Sequence, residues 1–98
     1  DFDGKARAIE HVDQFLPRVR ELNPDVLVVT GDHSTPAKLR GHSWHQVPIL
    51  LWGPTARSDA VESFSEPACG SGGLGNIPAQ AILPLMLAHG QRLAKYGA

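Results

Sequence analysis

The run Val26-Leu27-Val28-Val29, followed at once by Thr30-Gly31-Asp32-His33, constrains the fold more than any other feature of this chain. Four successive apolar residues leave no polar face, so they read as a strand covered on both sides, as the parallel strands of α/β sheets are. Sheets of that kind gather their ligands at the carboxyl ends of the strands. At this end Asp32 and His33 set a carboxylate beside an imidazole, and Gly31 frees the turn before them. Oxygen and nitrogen donors side by side suit a divalent metal ion. If the backbone turns between them, the two side chains either reach one ion or straddle two. His42, further along a polar stretch rich in His, Gly and Pro, is a third candidate donor. On residue type alone, a capped turn carrying exposed histidines explains the pattern equally well.

The flanking segments alternate between helix and strand. Ile9, Val12, Leu16, Val19 and Leu22 recur at steps of three and four, which predicts a helix over residues 4–22 with one apolar stripe. Asp3 is placed to cap its start, and Pro17 should kink it or end its regular part. Asn23-Pro24-Asp25 is a turn, because the residue before proline avoids helical angles. Residues 34–46 read as a loop. Residues 47–52 form a second apolar run, which Pro48 confines to a strand start or an edge. Gly53-Pro54 closes it, and Val61 with Phe64 hints at a short helical turn within residues 55–64. Glycines 70, 72, 73 and 75 suggest a flexible loop, but no phosphate-binding glycine motif is present. Ile82, Leu85, Met86 and Leu93 predict a last helix over residues 78–95, where Pro84 requires a kink or a break. No repeat or linker divides the chain, so no complete second domain is expected.

Composition excludes more than it assigns. A chain of 98 residues fits one small domain able to bury roughly two-thirds of its unfolded surface. A net charge of −1 offers no attraction to nucleic acid or an anionic membrane. No apolar run approaches the roughly 20 residues that cross a bilayer. The single cysteine, Cys69, excludes an internal disulfide and reads as a shielded free thiol in a reducing, cytoplasmic setting. A start at Asp1, without methionine, reads as a piece of a longer protein. Of the other histidines, His11 and His89 fall on helix surfaces, and His45 sits near His42 without itself pointing to ligation.

In order along the chain stand Lys5, Ile9-Glu10 and Asp13; Gly31-Asp32-His33-Ser34-Thr35-Pro36; His42-Ser43; Val47-Pro48-Ile49-Leu50; Arg57, Asp59, Val61, Phe64 and Glu66; then Cys69, Gly73-Leu74-Gly75 and Ile77. This succession resembles the carboxy-terminal part of the archaeal-type cofactor-independent phosphoglycerate mutases, members of the alkaline-phosphatase-like superfamily of metalloenzymes. The resemblance covers nearly the whole chain. It departs at Ala37, where the family often has cysteine, and at Trp44-His45-Gln46, which replace a small, acidic, proline-containing triplet.

The resemblance implies an α/β fold with a three-layer αβα core, of which residues 1–98 would supply a partial sheet with flanking helices. It implies a glycolytic isomerase in which two divalent ions, manganese or else zinc, cobalt or magnesium, activate a serine. That serine takes the phosphoryl group of 3-phosphoglycerate and returns it to the 2-hydroxyl. By match, Asp32 and His33 bind one ion and His42 the other. Arg57 either contacts the substrate's phosphate or carboxylate or sits in a surface salt bridge, and Lys5 and Asp13 back the site or lie on the helix surface. No serine here matches the family's nucleophile, and the remaining ligands, expected just before Asp1, are absent too, so the chain alone should be inactive. A related metal-dependent phosphatase or hydrolase, or a non-catalytic remnant of the fold, fits the same residues. Oligomeric state is not legible.

Overall fold

The computed structural model describes residues 2–33, 41 and 45–93. A long helix α1 (Phe2–Glu21) leads to β1 (Leu27–Thr30), β2 (Ile49–Trp52), the short helix α2 (Glu66–Cys69), a 3-10 turn (Ala79–Ala81) and α3 (Ile82–His89). None of these helices is long and apolar enough to cross a membrane.

α1 carries the expected stripe but starts earlier, at Phe2, so Asp3 lies in the first turn instead of capping it. Its carboxylate there still favours the positive end of the helix dipole. The helix also runs through Pro17 and does not end at it. Pro17 has no N–H to return to the preceding turn, a loss worth about 3 kcal/mol against alanine in a helix interior. Pro17→Ala is therefore expected to deepen the far-ultraviolet ellipticity at the helix minimum; an unchanged signal would count against this account. The helix closes where Asn23 takes φ 55°, a left-handed angle that asparagine tolerates. The Asn23 amide donates to the Arg20 carbonyl at 2.9 Å.

β1 and β2 pair antiparallel, with Leu27 opposite Trp52 and Thr30 opposite Ile49. The apolar run of β1 suggested a parallel strand covered on both faces, and the structure corrects both points. The chain leaving β1 turns back and lays β2 beside it, and Val26 to Val29 are only half-buried. Pro48 immediately precedes β2, where its missing N–H costs no ladder bond.

Residues 55–64 are irregular, and the helical turn expected there forms later, at α2. The Ser65 hydroxyl caps it by accepting from the Ala68 amide at 3.3 Å, and Glu66 and Pro67 occupy the first turn, where each is favoured. The last helix is shorter than its apolar spacing suggested. Pro84 falls in the first turn of α3, where no N–H is needed, and the 3-10 turn before it takes up the break. Gln91 at φ 60° ends it: the Gln91 amide donates to the Ala88 carbonyl at 3.0 Å and the Arg92 amide to the Leu87 carbonyl at 2.7 Å, the paired bonds of a Schellman stop. The Arg92 guanidinium then meets the Asp25 carboxylate at 3.1 Å, tying this end to the turn before β1.

Among the described residues none is fully buried. The α1 stripe is open, with Ile9 69% and Val12 60% exposed, and Leu22 just beyond the helix is 81% exposed. α1 meets the sheet through the Arg20 guanidinium, 5.3 Å from the centroid of the Trp52 ring.

Candidate metal centre

The ladder that pairs β1 with β2 also fixes where the candidate ligands emerge. Thr30, the last residue of β1, donates its hydroxyl to the Pro48 carbonyl at 2.8 Å, pinning the strand end to the start of β2. Two residues on, Asp32 and His33 turn toward each other. Asp32 Oδ1 accepts from the His33 amide at 3.0 Å, and Asp32 Oδ2 stands 3.2 Å from His33 Nε2.

This separation fits a shared cation. Two donors each about 2.1 Å from one ion stand roughly 3.0 Å apart at an octahedral angle and about 3.4 Å at a tetrahedral one. An Nε2–H donor makes the same contact a hydrogen bond, and loss of that proton frees the lone pair that a metal requires. Asp32 is 87% exposed and His33 40%, so both donors are open to an incoming ion. His42 lies outside the described residues. Among those residues no group of three or more His, Cys, Asp or Glu comes together in a way that could hold a metal.

A cleft of about 240 Å³ opens beside this corner, walled by Gly31, Asp32, Val47, Cys69, Gly75 and Ile77. A larger one, about 660 Å³, lies on the other side of the glycine-rich segment, and Cys69 and Gly75 line both. Arg57 stands in the wall of the larger cleft, exposed. No salt bridge to Arg57 stands beside the pairs of Asp32 with His33 and Asp25 with Arg92 among the described residues. His45 and His11 are exposed, His11 with its ring edge-on to Phe15 at 5.1 Å. His89 departs from its expected surface place. It is half-buried at the end of α3, with Nδ1 2.8 Å from the Thr55 hydroxyl.

The residue that the sequence undervalued is Asp59. Its Oδ2 accepts from the Gly73 amide at 2.8 Å and its Oδ1 from the Val61 amide at 2.9 Å. The Gly73 bond first, and the Val61 bond after it, hold the carboxyl below the usual aspartate range. A carboxyl lowered in this way lends stability above its unfolded-state value and loses it as pH falls through the lowered one. The glycine-rich segment, expected to be flexible, is thus held by a side chain fourteen residues away. A local clue existed in Asp59-Ala60-Val61, the spacing at which an aspartate closes a turn on its own backbone.

The sequence pattern of the Metalloenzyme superfamily matches residues 1–89. A protein of Thermosipho africanus described as a probable 2,3-bisphosphoglycerate-independent phosphoglycerate mutase is 51% identical over 98 residues, which are all of this chain and 24% of that protein. Proteins of the same description from Thermus thermophilus and Aquifex aeolicus are 48% and 51% identical over the same span. The chain therefore spans about a quarter of the length of these relatives. Among solved structures, the PH0037 protein of Pyrococcus horikoshii superposes with a TM-score of 0.86 at 37% identity, over 96% of this chain and 29% of that one.

Proposed function

The chain belongs to the metalloenzyme superfamily, and on that premise we propose that it is one part of a cofactor-independent phosphoglycerate mutase, an isomerase that interconverts 3- and 2-phosphoglycerate through a phosphoserine. The observation that carries this reading is the convergence of Asp32 Oδ2 and His33 Nε2, 3.2 Å apart, at the end of β1. They do so in a chain about half identical, over its whole length, to proteins described as such mutases.

In this reading Asp32 and His33 hold one divalent ion and His42 the other, with manganese the preferred metal. Asp32 brings the negative charge that offsets the cation, and the imidazoles add nitrogen donors without further charge. Thr30, bonded to Pro48, keeps the strand end from drifting as these donors engage. Bound there, a pair of divalent ions would favour the alkoxide of a serine supplied from outside this chain and spread the charge of the transferring phosphoryl group. Arg57, exposed in the wall of the neighbouring larger cleft, is assigned to the substrate's phosphate or carboxylate by the family resemblance. The lone Cys69, half-buried and unbridged, suits a reducing cytoplasm.

A segment exchange tests the proposal. The matching 98 residues of the Thermus thermophilus relative, 48% identical to this chain, are replaced by the chain itself. With manganese and 3-phosphoglycerate in a coupled assay, the hybrid should form 2-phosphoglycerate. Release of inorganic phosphate in its place would favour a hydrolase of the same superfamily. A folded hybrid without turnover would overturn the reading.

A further inference from the structure

We propose that Asp59 is a positioning residue: its carboxylate, clamped on the Gly73 and Val61 amides, sets the wall of the cleft beside Asp32 by holding the Cys69–Gly75 segment from behind. The geometry supplies each link. Asp59 Oδ2 receives the Gly73 N–H at 2.8 Å, and Oδ1 receives the Val61 N–H at 2.9 Å. The segment is also turned on itself, the Gly72 amide donating to the Cys69 carbonyl at 3.0 Å and the Gly75 amide to the Gly72 carbonyl at 3.1 Å. A Cβ at position 72 would approach the Cys69 carbonyl to 3.2 Å and Asp59 Oδ2 to 3.4 Å. Glycine there avoids the tight approach to the Cys69 carbonyl, while the carboxylate would stand at ordinary contact. Gly75, at φ +63°, then directs the chain into Asn76 and Ile77, which face the cleft of Asp32.

Asp59 itself lines the larger cleft and not the one that contains Asp32. The route proposed to the candidate centre is the backbone of the Cys69–Gly75 segment, since Cys69 and Gly75 line both clefts. The charged and titratable groups sharing its cleft are Arg57, Glu62, Cys69 and His89. None of them accepts from the Gly73 or Val61 amide, both of which donate to Asp59.

The consequence for substrate binding rests on the mutase reading, whereas the clamp itself does not. Both are measured in the hybrid protein described above, comparing it with Asp59→Asn and Asp59→Ala. Asparagine keeps the shape and one acceptor oxygen but presents an N–H₂ to one of the two amides, so it loses a bond with little change in volume. Hydrogen exchange across residues 69–77 should accelerate about tenfold in both variants, the amount one charge-assisted bond is worth. The KM for 3-phosphoglycerate should rise about fivefold with kcat changed far less, the mark of lost ground-state positioning. Metal content should not move. Unchanged exchange in Asp59→Asn, or faster exchange with KM unaltered and only the thermal midpoint lowered, would overturn the proposal. An inactive parent hybrid would speak against the mutase reading alone, because the exchange comparison still decides whether the clamp exists.

Discussion

Asp32→Ala is expected to lower kcat/KM of the hybrid mutase about a thousandfold, the several kcal/mol that divalent-ion stabilisation supplies at about 1.4 kcal/mol per factor of ten. Of the three proposed donors, Asp32, His33 and His42, only Asp32 is anionic. Its removal leaves the neutral His33 imidazole as this chain's one donor to that doubly charged ion and takes away the oxygen facing His33 Nε2 at 3.2 Å. Stability should hardly respond. Asp32 is 87% exposed, and its contact with His33 is a surface pair of the kind worth at most about 1 kcal/mol. A large loss of turnover with an unshifted unfolding midpoint is therefore the expected signature. A proportional loss of both would assign Asp32 a structural role.

The second large effect concerns the chain by itself. The 98 residues should show no mutase turnover with manganese, and their thermal unfolding should be broad instead of sharp. Cooperative unfolding requires a shared core whose removal from water offsets the conformational entropy of ordering the chain. Here no described residue is fully buried, and Phe2, Ile9 and Val12 on α1 and Leu22 just after it stand 60–81% exposed. An apolar surface of that extent ordinarily meets a partner. The antiparallel pair offers no substitute, since an isolated two-stranded sheet is marginal in water. A steep single transition, together with turnover in the coupled assay, would contradict this account.

What the sequence revealed and what it hid follow from the range of the forces involved. α1 was legible because its apolar stripe is a local period, although its start was set by which residues could continue the helix beyond Asp3. The position of β1 was legible as an apolar run. Its partner was not, because such a run reports that a strand is apolar and not which way its neighbour runs. α3 was overextended because Leu93 continues the helical spacing, while the left-handed turn at Gln91 has no glycine to announce it. The helical turn forms at α2, past Val61 and Phe64, because Ser65 caps it there and Glu66 and Pro67 fill its first turn. Asp59 was underestimated because its decisive bond, to Gly73, joins residues that no local pattern connects. The Asp32–His33 corner was found by its place after an apolar strand. Its convergence on one side depended on backbone angles the sequence does not display.

Metal content tests the central claim most directly. The hybrid protein and its Asp32→Ala variant are loaded with manganese, dialysed exhaustively and analysed for metal per chain. The account predicts about two ions in the parent, as two-metal phosphoryl-transfer sites hold, and loss of at least one of them in Asp32→Ala. Equal manganese in both proteins would contradict it, whatever the activities show.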